Sequence, residues 1–532
     1  TETGSLNLNG TNTINTVTGN GSTTVQSGKT TLNTSLAQGS LTVNQDGEYE
    51  NKGTTVVDTL TTDKKTTGSQ DGKVTISSGS VTVNDQLTNN GTIANNGTLN
   101  IAGGDDSTNS GTISGNGTLN NTSGKLTNTG SIGQGSVIND GGTILNSGSG
   151  SITAETITNT SGTIETSADK LIATNSDKLI TNNDTLRLTG GTNSNKISGD
   201  GETVFSNSVI NNNEITQDVI TNTGTLTNNN SITVNETFNN SSAIINSSGA
   251  ELNLYGDDIT IGGTVVNNNG ADININSANN AVNNTNISNN GNITVEGGNF
   301  ENRGNITGTG DFQNDGVTNN NGLISQTNIN NTGNLTSART GLNGSITNSG
   351  DLHITDDGAT TFDVAGTGVV HLDGSGITVL NHDLDQNTLS LNNGTLIFGS
   401  NRDISSGGMI TNAGTIEARD GAMSTYNLGN VAVNGTTNVN VDFDLSTITS
   451  DKFNALYSGS GKLNIDKVQV QGTTLKDSIK VHLSDLTNID REHLTSTEQS
   501  LPTIMTPIRK LQGSIKDNYL TYSGTGSDVD DF

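Results

Sequence analysis

Single apolar residues recur about six positions apart along much of this chain, and we call this regular spacing the apolar beat. In the stretch LTNNGTIANNGTLNI, Leu87, Ile93 and Leu99 are separated by Asn-Gly pairs. A helix would place apolar residues at i, i+3, i+4 and i+7, and this chain does not. Asn and Gly accept the positive φ angles that sharp corners need, so the beat predicts short strands joined by tight turns. The beat returns at Ile113, Leu119, Leu126, Ile132, Ile138, Ile144, Ile232, Phe238, Ile244, Leu252, Ile293, Phe300, Ile306 and Phe312.

The composition excludes a conventional globular core. Of the 532 residues, 28% are hydrophobic and 3% are aromatic, against an apolar share of ~45–50% in globular domains. Disordered chains are also poor in apolar residues, but here only 14% of residues are charged and the apolar spacing is kept. A thin stack of coils reconciles these facts, because each layer needs only a few inward side chains.

We therefore predict an all-β fold, an elongated parallel β-helix or β-solenoid with three faces and ~18–22 residues per coil. Neighbouring coils would pair as parallel strands roughly 4.8 Å apart. Leu and Ile would stack inside, and Asn side chains would form amide ladders between coils. The spacing slips at Ile152, Ile157 and Ile164, and such ragged coils favour the right-handed form.

Composition also predicts three parts. Residues 1–85 are interpreted as N-terminal coils or a cap, 86–428 as the Asn/Gly/Thr-rich repeat solenoid, and 429–532 as a C-terminal capping region. Past Leu428 the Asn-Gly repeats give way to longer alternating segments, and both prolines lie there. The sequence starts at Thr1 without a leader, and no run approaches the ~18 apolar residues of a membrane helix. We expect a mature, processed or trimmed product.

The C-terminal part carries a family resemblance. The segments VNVDFDL (439–445), SDKF (450–453), TPIRK (506–510) and YLTY (519–522) are similar to the end of autotransporter passenger domains. The central TNNGTI and NGTL repeats resemble the passenger repeats of the same family. The resemblance implies a right-handed β-helix exported through the outer membrane of a Gram-negative-type bacterium, with adhesive or self-associating roles. No translocator barrel follows these segments, and we expect it to have been cleaved off or left out.

No catalytic residue is predicted, and the chain is expected not to be an enzyme. Gly28-Lys29-Thr30 lacks the glycine that a phosphate-binding loop needs five positions earlier, where Thr23 stands. Thr1 is interpreted as a processing end rather than a nucleophile. The histidines show no metal-ligand spacing, and no pair of carboxylates stands out for glycosidic cleavage. These histidines are His353, His371, His382, His482 and His493.

Acidic pairs in predicted turns could bind Ca²⁺, which prefers oxygen ligands. The sequence contains neither an EF-hand loop nor a G-G-x-G-x-D repeat, and solvated turn acids are the favoured interpretation. No other cofactor is expected. The acids concerned are Asp105, Asp106, Asp257, Asp258, Asp356, Asp357, Asp528, Asp530 and Asp531.

The net charge of −29, without a basic stripe, argues against nucleic acid and anionic lipid as partners. We expect an extracellular or cell-surface adhesin or structural scaffold, with no membrane insertion by this chain. Its partners would be host or bacterial surface glycans and proteins, or further copies of itself, held by many weak contacts. The alternatives are a self-assembling filament or biofilm matrix protein and, more weakly, a β-helix polysaccharide-degrading enzyme.

Overall fold

A computed structural model describes residues 3–104, 106–359, 363–381, 384–386, 388–399, 404, 407–506 and 509–524. Strands hold 66% of the residues and helices 2%, which confirms the all-β prediction. The chain divides into two units, Thr1–Ala281 and Val282–Phe532. The division predicted after residues 85 and 428 stays a prediction.

The first unit is built from short strands separated by one-to-several-residue corners. Its one short 3-10 turn, among the residues described there, is Ala168–Lys170. In chain order, strands β1–β30 are Ser5–Asn9, Asn12–Thr18, Ser22–Val43, Gly47–Asn51, Thr54–Thr62, Lys73–Ile76, Ser80–Asn89, Thr92–Asn95, Thr98–Ile101, Asp106–Asn109, Thr112–Ser114, Thr118–Asn121, Lys125–Asn128, Ser131–Asn146, Ser151–Thr166, Leu171–Ala173, Leu179–Asn182, Thr185–Leu188, Gly191–Asn193, Lys196–Ser198, Glu202–Phe205, Ser208–Asn211, Ile215–Asn222, Thr225–Asn228, Ser231–Asn240, Ala243–Asn246, Glu251–Leu254, Asp258–Ile261, Thr264–Asn267 and Asp272–Asn283.

Each coil presents three strands, and each strand pairs in parallel with its counterpart on the next coil. We name the faces after β10 (face A), β11 (face B) and β12 (face C). On face B, Ile93 pairs with Ile113, which pairs with Ile132, and on face C Leu99 pairs with Leu119. All of these side chains are buried. The predicted apolar beat is therefore the inner column of a β-solenoid, and the parallel stacking is confirmed. The prediction was wrong at Ile138, because its neighbour Val137 is the buried residue that pairs with Leu119. The right-handed sense stays a prediction.

Asparagines at the ends of strands form hydrogen-bonded ladders inside the coils, as predicted. The ladder on face A, here the Thr62–Thr166 ladder, begins when Thr62 Oγ1 donates to Asn89 Oδ1 at 2.5 Å. Each Nδ2 then donates to the next Oδ1 through Asn109, Asn128 and Asn146 at 2.5, 2.6 and 2.7 Å. Asn146 Nδ2 closes the series on Thr166 Oγ1 at 3.0 Å. Similar ladders run through Asn193, Asn211, Asn228, Asn246 and Asn267 on face B and through Asn121, Asn139, Asn159 and Asn182 on face C.

These ladders explain how a chain so poor in apolar residues can fold. A buried amide costs free energy unless its donors and its acceptor are paired. The carbonyl of Asn128 accepts from Asn109, and its NH2 group donates to Asn146 and to backbone oxygens. Each coil thus replaces part of an apolar core with paired amides. The exception in these ladders is the first amide on face C, because Asn121 Oδ1 accepts no hydrogen bond from a described residue.

In some ladders the side-chain hydrogen bond passes over one coil, and we call this arrangement the coil-skipping device. Where one coil has glycine at the ladder position, the asparagine of the preceding coil bonds to a glutamine of the following one. Asn95 Nδ2 donates to Gln134 Oε1 at 2.7 Å, across the coil in which Gly115, with φ of 128°, occupies the position. The same device joins Asn182 to Gln217, Asn289 to Gln326 and Asn348 to Gln386.

The second unit continues the same construction. Its ladders join Asn283, Asn302, Asn320 and Ser337, and Asn314, Asn331 and Asn348. Its described helical turns are Arg339–Gly341 and α1, Leu483–Thr487. Strands β31–β58 are Ile287–Asn289, Asn292–Asn302, Asn305–Thr307, Asp311–Asn314, Val317–Asn320, Leu323–Asn331, Asn334–Ser337, Leu342–Asn348, Asp351–Ile354, Gly358–Ala359, Val364–Ala365, Val369–Leu372, Ile377–Leu380, Leu384–Asp385, Thr388–Leu391, Thr395–Phe398, Gly408–Thr411, Thr415–Glu417, Thr425–Val433, Thr436–Asp444, Thr449–Ser450, Lys452–Ser458, Lys462–Gln471, Ser478–His482, Leu494–Ser496, Gln499–Met505, Lys510–Lys516 and Tyr519–Gly524.

The C-terminal region differs in construction from the coils. Parallel pairing continues to β55, whose Leu494 pairs with Leu463. Strands β54, β58, β57 and β56 form an antiparallel sheet in that order. Just after α1, Asn488 Nδ2 donates to Asn454 Oδ1 of β52 at 2.7 Å. Phe453 of the SDKF segment stacks on Tyr426 with ring centroids 5.2 Å apart, and Tyr426 also contacts Phe398 at 5.1 Å, so three aromatic rings on successive coils form a column.

Candidate binding surface

The outward side chains repeat from coil to coil as the inner ones do. In the first unit, Asn229 Nδ2 donates to Asn212 Oδ1 at 2.8 Å, and Ser247 Oγ donates to Asn229 Oδ1 at 2.6 Å. In the second unit, a column of turn residues runs from Asp373 through Asn392 and Asn412 to Asn434, with N···O distances of 2.7, 2.6 and 3.2 Å. The surface therefore carries regular rows of amide and hydroxyl groups.

Two of the five histidines come together on this surface. The rings of His353 and His371, on adjacent coils, stack at 4.1 Å with 5° between their planes. His353 Nδ1 lies 2.6 Å from Asp373 Oδ2, and His371 Nε2 lies 3.2 Å from Asp351 Oδ1. Partial burial opposes ionisation of Asp373, but hydrogen bonds from Asn392 and His353 lower its pKa overall. The sequence spacing did not indicate this pair, because the two histidines meet only through the coil register.

His482 and His493 lie away from this pair. His482 accepts from Ser484 N at the start of α1. His493 Nδ1 lies 2.8 Å from Asp490 Oδ1, and its Nε2 lies 3.0 Å from the carbonyl oxygen of Gly459. His382 lies outside the described residues.

The acidic pairs do not converge. Asp106 lies 4.0 Å from Lys125 Nζ, while Asp257 and Asp258 are exposed. Asp356 accepts from Arg339 N and lies 3.8 Å from the Arg339 guanidinium. Within the described ranges, no three His, Asp or Glu side chains are arranged to hold a metal ion, and calcium binding stays a prediction. The acids Asp105, Asp528, Asp530 and Asp531 lie outside the described residues.

The Gly28-Lys29-Thr30 segment lies within strand β3. Lys29 Nζ lies 3.0 Å from Glu50 and 3.6 Å from Glu48, carboxylates of the next coil. The hydrogen bond from Lys29 lowers the pKa of Glu50 to about 2. The lysine therefore takes part in a cross-coil ion-pair row rather than in a phosphate loop. Thr1 lies outside the described residues.

A cluster of buried carboxylates lies near the C-terminal end. Asp451 accepts from Ser424 N and Asp442 N at 2.8 and 2.7 Å. Asp442 Oδ2 accepts from Asp420 N and Gly421 N at 2.8 and 2.7 Å. Burial raises the pKa of Asp442 and raises that of Asp451 to about 7. Both side chains are inaccessible to solvent, and they fasten the 420–424 loop to the β50–β51 hairpin.

An open polar depression with charged walls lies in the first unit. It is a groove of about 400 Å³ between the loop 63–72 and the corners that join face A to face B. Lys64 and Lys65 line its loop side, and the corner residues of four successive coils line the other. The sequence reasoning missed this groove. The available signal was the gap in the apolar beat between Leu60 and Val74, which holds an insertion with adjacent lysines.

Among the described residues, no helix combines the length and the apolar character that crossing a bilayer would require. A scan against protein-family models, a search of curated proteins and a search of solved structures each found no match to this chain.

Proposed function

We propose that this chain is an extracellular, non-enzymatic surface protein of a Gram-negative-type bacterium, an autotransporter-like passenger that acts as an adhesin or scaffold. The observation that carries the proposal is that the amides form two separate sets, one buried between the coils and one exposed at the surface. Inner ladders hold the coils in register, while outer rows such as Asn212, Asn229 and Ser247 stay at the surface. The C-terminal resemblance to passenger domains supports the cellular location.

The mechanism follows from repetition. Each exposed row offers one hydroxyl or amide per coil at a spacing of about 4.8 Å. A single such contact with a glycan or protein is weak, but many on one rigid support raise the effective concentration of the next contact. Affinity would therefore depend on the number of rows engaged rather than on one deep pocket.

The position of the carboxylates with raised pKa values supports a binding role over a catalytic one. Asp442 and Asp451 are both buried and both accept from backbone amides. A catalytic acid or base has to reach the proton that it transfers. In this account these two carboxylates stabilise the C-terminal coils.

The proposal is tested by incubating the whole chain, coupled to beads, with a glycan panel and with host and bacterial cells. We expect retention on a subset of glycans or cells and no change in the size of the polysaccharides after incubation. Shortened polysaccharide would favour the enzymatic alternative, and retention on no surface would refute the adhesive role.

Self-assembly into an extracellular filament or biofilm matrix is the second candidate. The observation that favours it is the exposure of large apolar side chains within residues 456–505, where Leu456, Leu475 and Met505 are 74%, 76% and 58% exposed. A second copy of the chain could cover such side chains. Electron microscopy of the purified chain separates the two candidates, because fibres that lengthen with concentration would make assembly the function.

A further inference from the structure

The groove beside the loop 63–72 is a built feature rather than a gap between mobile segments. Gln45 Oε1 accepts from Thr66 Oγ1 at 2.7 Å and from Ser69 Oγ at 3.0 Å. Asp46 Oδ1 accepts from Gln70 N at 2.7 Å. The loop is therefore fastened to a corner of the preceding coil, and it forms a fixed wall.

Glycine backbone forms part of the floor of the groove. A Cβ atom added at Gly111 would lie 2.1 Å from the oxygen of Gly91, and one added at Gly130 would lie 2.0 Å from the oxygen of Gly111. These corners therefore admit only glycine. Beside these glycines the polar residues Ser110 and Thr129 also line the groove.

A row of hydroxyl groups borders this floor. Thr112, Ser131 and Ser151 follow one another on successive coils of face B. Within the described part of the chain, no hydrogen bond involves their hydroxyl groups. The ladder amides of Asn89, Asn109 and Asn128 donate to the backbone oxygens of these three residues at 3.2, 3.3 and 3.2 Å. The Thr62–Thr166 ladder thus positions the row at the coil spacing of about 4.8 Å.

The charge at the groove is unusual for this protein. Acidic residues outnumber basic ones by 52 to 23, yet Lys64 and Lys65 are adjacent, exposed and free of ion pairs with any described residue. Asp71 also lines the groove, and one of its oxygens accepts from Lys65 N at 2.9 Å. Two ammonium groups on the wall that faces a neutral hydroxyl row suit a chain that is rich in hydroxyl groups and carries anions.

We propose that this groove binds a linear polysaccharide whose sugars carry carboxylate or sulfate groups. The sugar hydroxyls would lie along the row of Thr112, Ser131 and Ser151, and the anionic groups would contact Lys64 and Lys65. The inference rests on the proposed adhesive function and names the ligand class at one site. Single-stranded nucleic acid fits less well, because the groove lining contains no aromatic side chain on which bases could stack.

The test measures binding of the whole chain to polygalacturonate, dextran sulfate and neutral dextran by biolayer interferometry at two salt concentrations. The variant Lys64→Gln/Lys65→Gln removes both charges, and Lys170→Gln/Lys178→Gln is the matched control on the same unit. We expect the groove variant to lose about tenfold or more in affinity for the anionic polymers. The control should bind as the unaltered chain does, and added salt should weaken binding.

Two results would overturn the inference. One is equal affinity of the two double variants, and the other is neutral dextran binding as tightly as the anionic polymers. If either result is found and the unaltered chain is still retained by cells or by other glycans, the adhesive function stands without this site. If the unaltered chain binds no glycan and no cell, the proposed function fails as well. Unchanged far-UV circular dichroism of both variants shows that the fold is kept.

Discussion

The adjacent residues Asn228 and Asn229 allow a matched test of the inner ladders. Both make amide hydrogen bonds to neighbouring coils, but Asn228 is 1% exposed whereas Asn229 lies on the surface. Asn228 accepts from Asn211 and donates to Asn246, both at 3.0 Å. It also donates to the oxygens of Asn230 and Glu251, both at 2.9 Å. Asn228 Oδ1 also accepts from Asn230 N at 3.4 Å, so the substitution Asn228→Ala removes five bonds.

The expected magnitude follows from those bonds. A buried hydrogen bond contributes about 1 kcal/mol net, and a buried polar atom left without a partner costs about 1–3 kcal/mol. The two fully buried bonds, to Asn211 and Asn246, account for about 2 kcal/mol, and Asn246 Oδ1, left without a donor, adds about 1–3 kcal/mol. Asn228→Ala should therefore lower the free energy of unfolding by about 3–5 kcal/mol. Asn229→Ala removes two exposed bonds, and water can replace them, so its effect should stay within about 0.5 kcal/mol.

Urea denaturation followed by far-UV circular dichroism measures both variants against the unaltered chain. The reasoning is refuted if the two substitutions destabilise equally, or if Asn228→Ala costs less than about 1 kcal/mol. Equal slopes of the transitions would show that the comparison reflects stability rather than a change in the unfolded state.

Three further outcomes are expected. Gln134→Asn shortens the side chain by one methylene, so the shorter amide should no longer reach Asn95. The free energy of unfolding, measured in urea, should fall by about 1–2 kcal/mol, and no change would contradict the coil-skipping device. Because burial raises the pKa of Asp451 to about 7, the native state holds a proton that the unfolded chain, with a pKa of about 4, releases. The free energy of unfolding should therefore fall between about pH 4 and 7, and this fall should become smaller in Asp451→Asn; Asp442, whose pKa is also raised, supplies what remains. The hydrogen bond from Lys29 lowers the pKa of Glu50 to about 2, so the contribution of Glu50 to the free energy of unfolding should be complete above about pH 4 and lost as the pH falls toward 2. Lys29→Gln should flatten the dependence of the free energy of unfolding on pH in that range. An unchanged dependence would show that the ion-pair row contributes nothing to stability.

The sequence predicted the fold class, a parallel β-solenoid, because its local spacing and turn residues agree with the three-dimensional structure. Ile93 and Leu99 stand at the predicted beat, and both are inward residues of short parallel strands. The amide ladders were also predicted as a class. Their partners were not, because the partner depends on the length of each coil. Asn95 bonds to Gln134, 39 residues later, only because Gly115 takes its position in the coil between.

The candidate site was harder to predict than the fold. The adjacent lysines at 64 and 65 are visible in the sequence, but the hydroxyl row that faces them begins about fifty residues later and is assembled by stacking. The stacked pair of His353 and His371 likewise has no sequence motif, since the two residues come from different coils. In a solenoid, surface neighbours are set by register, so a site is not contiguous in the chain.

We propose that this chain binds by many weak contacts on a repetitive polar surface. The most direct test is to measure binding at a series of densities of an immobilised glycan. The whole chain is passed over layers of a retained glycan immobilised at increasing density, and the apparent Kd is measured at each density. We expect weak binding at low density and an apparent affinity that rises steeply once several rows can be engaged together. An affinity that does not change with density would contradict it, because that result describes a single self-sufficient site.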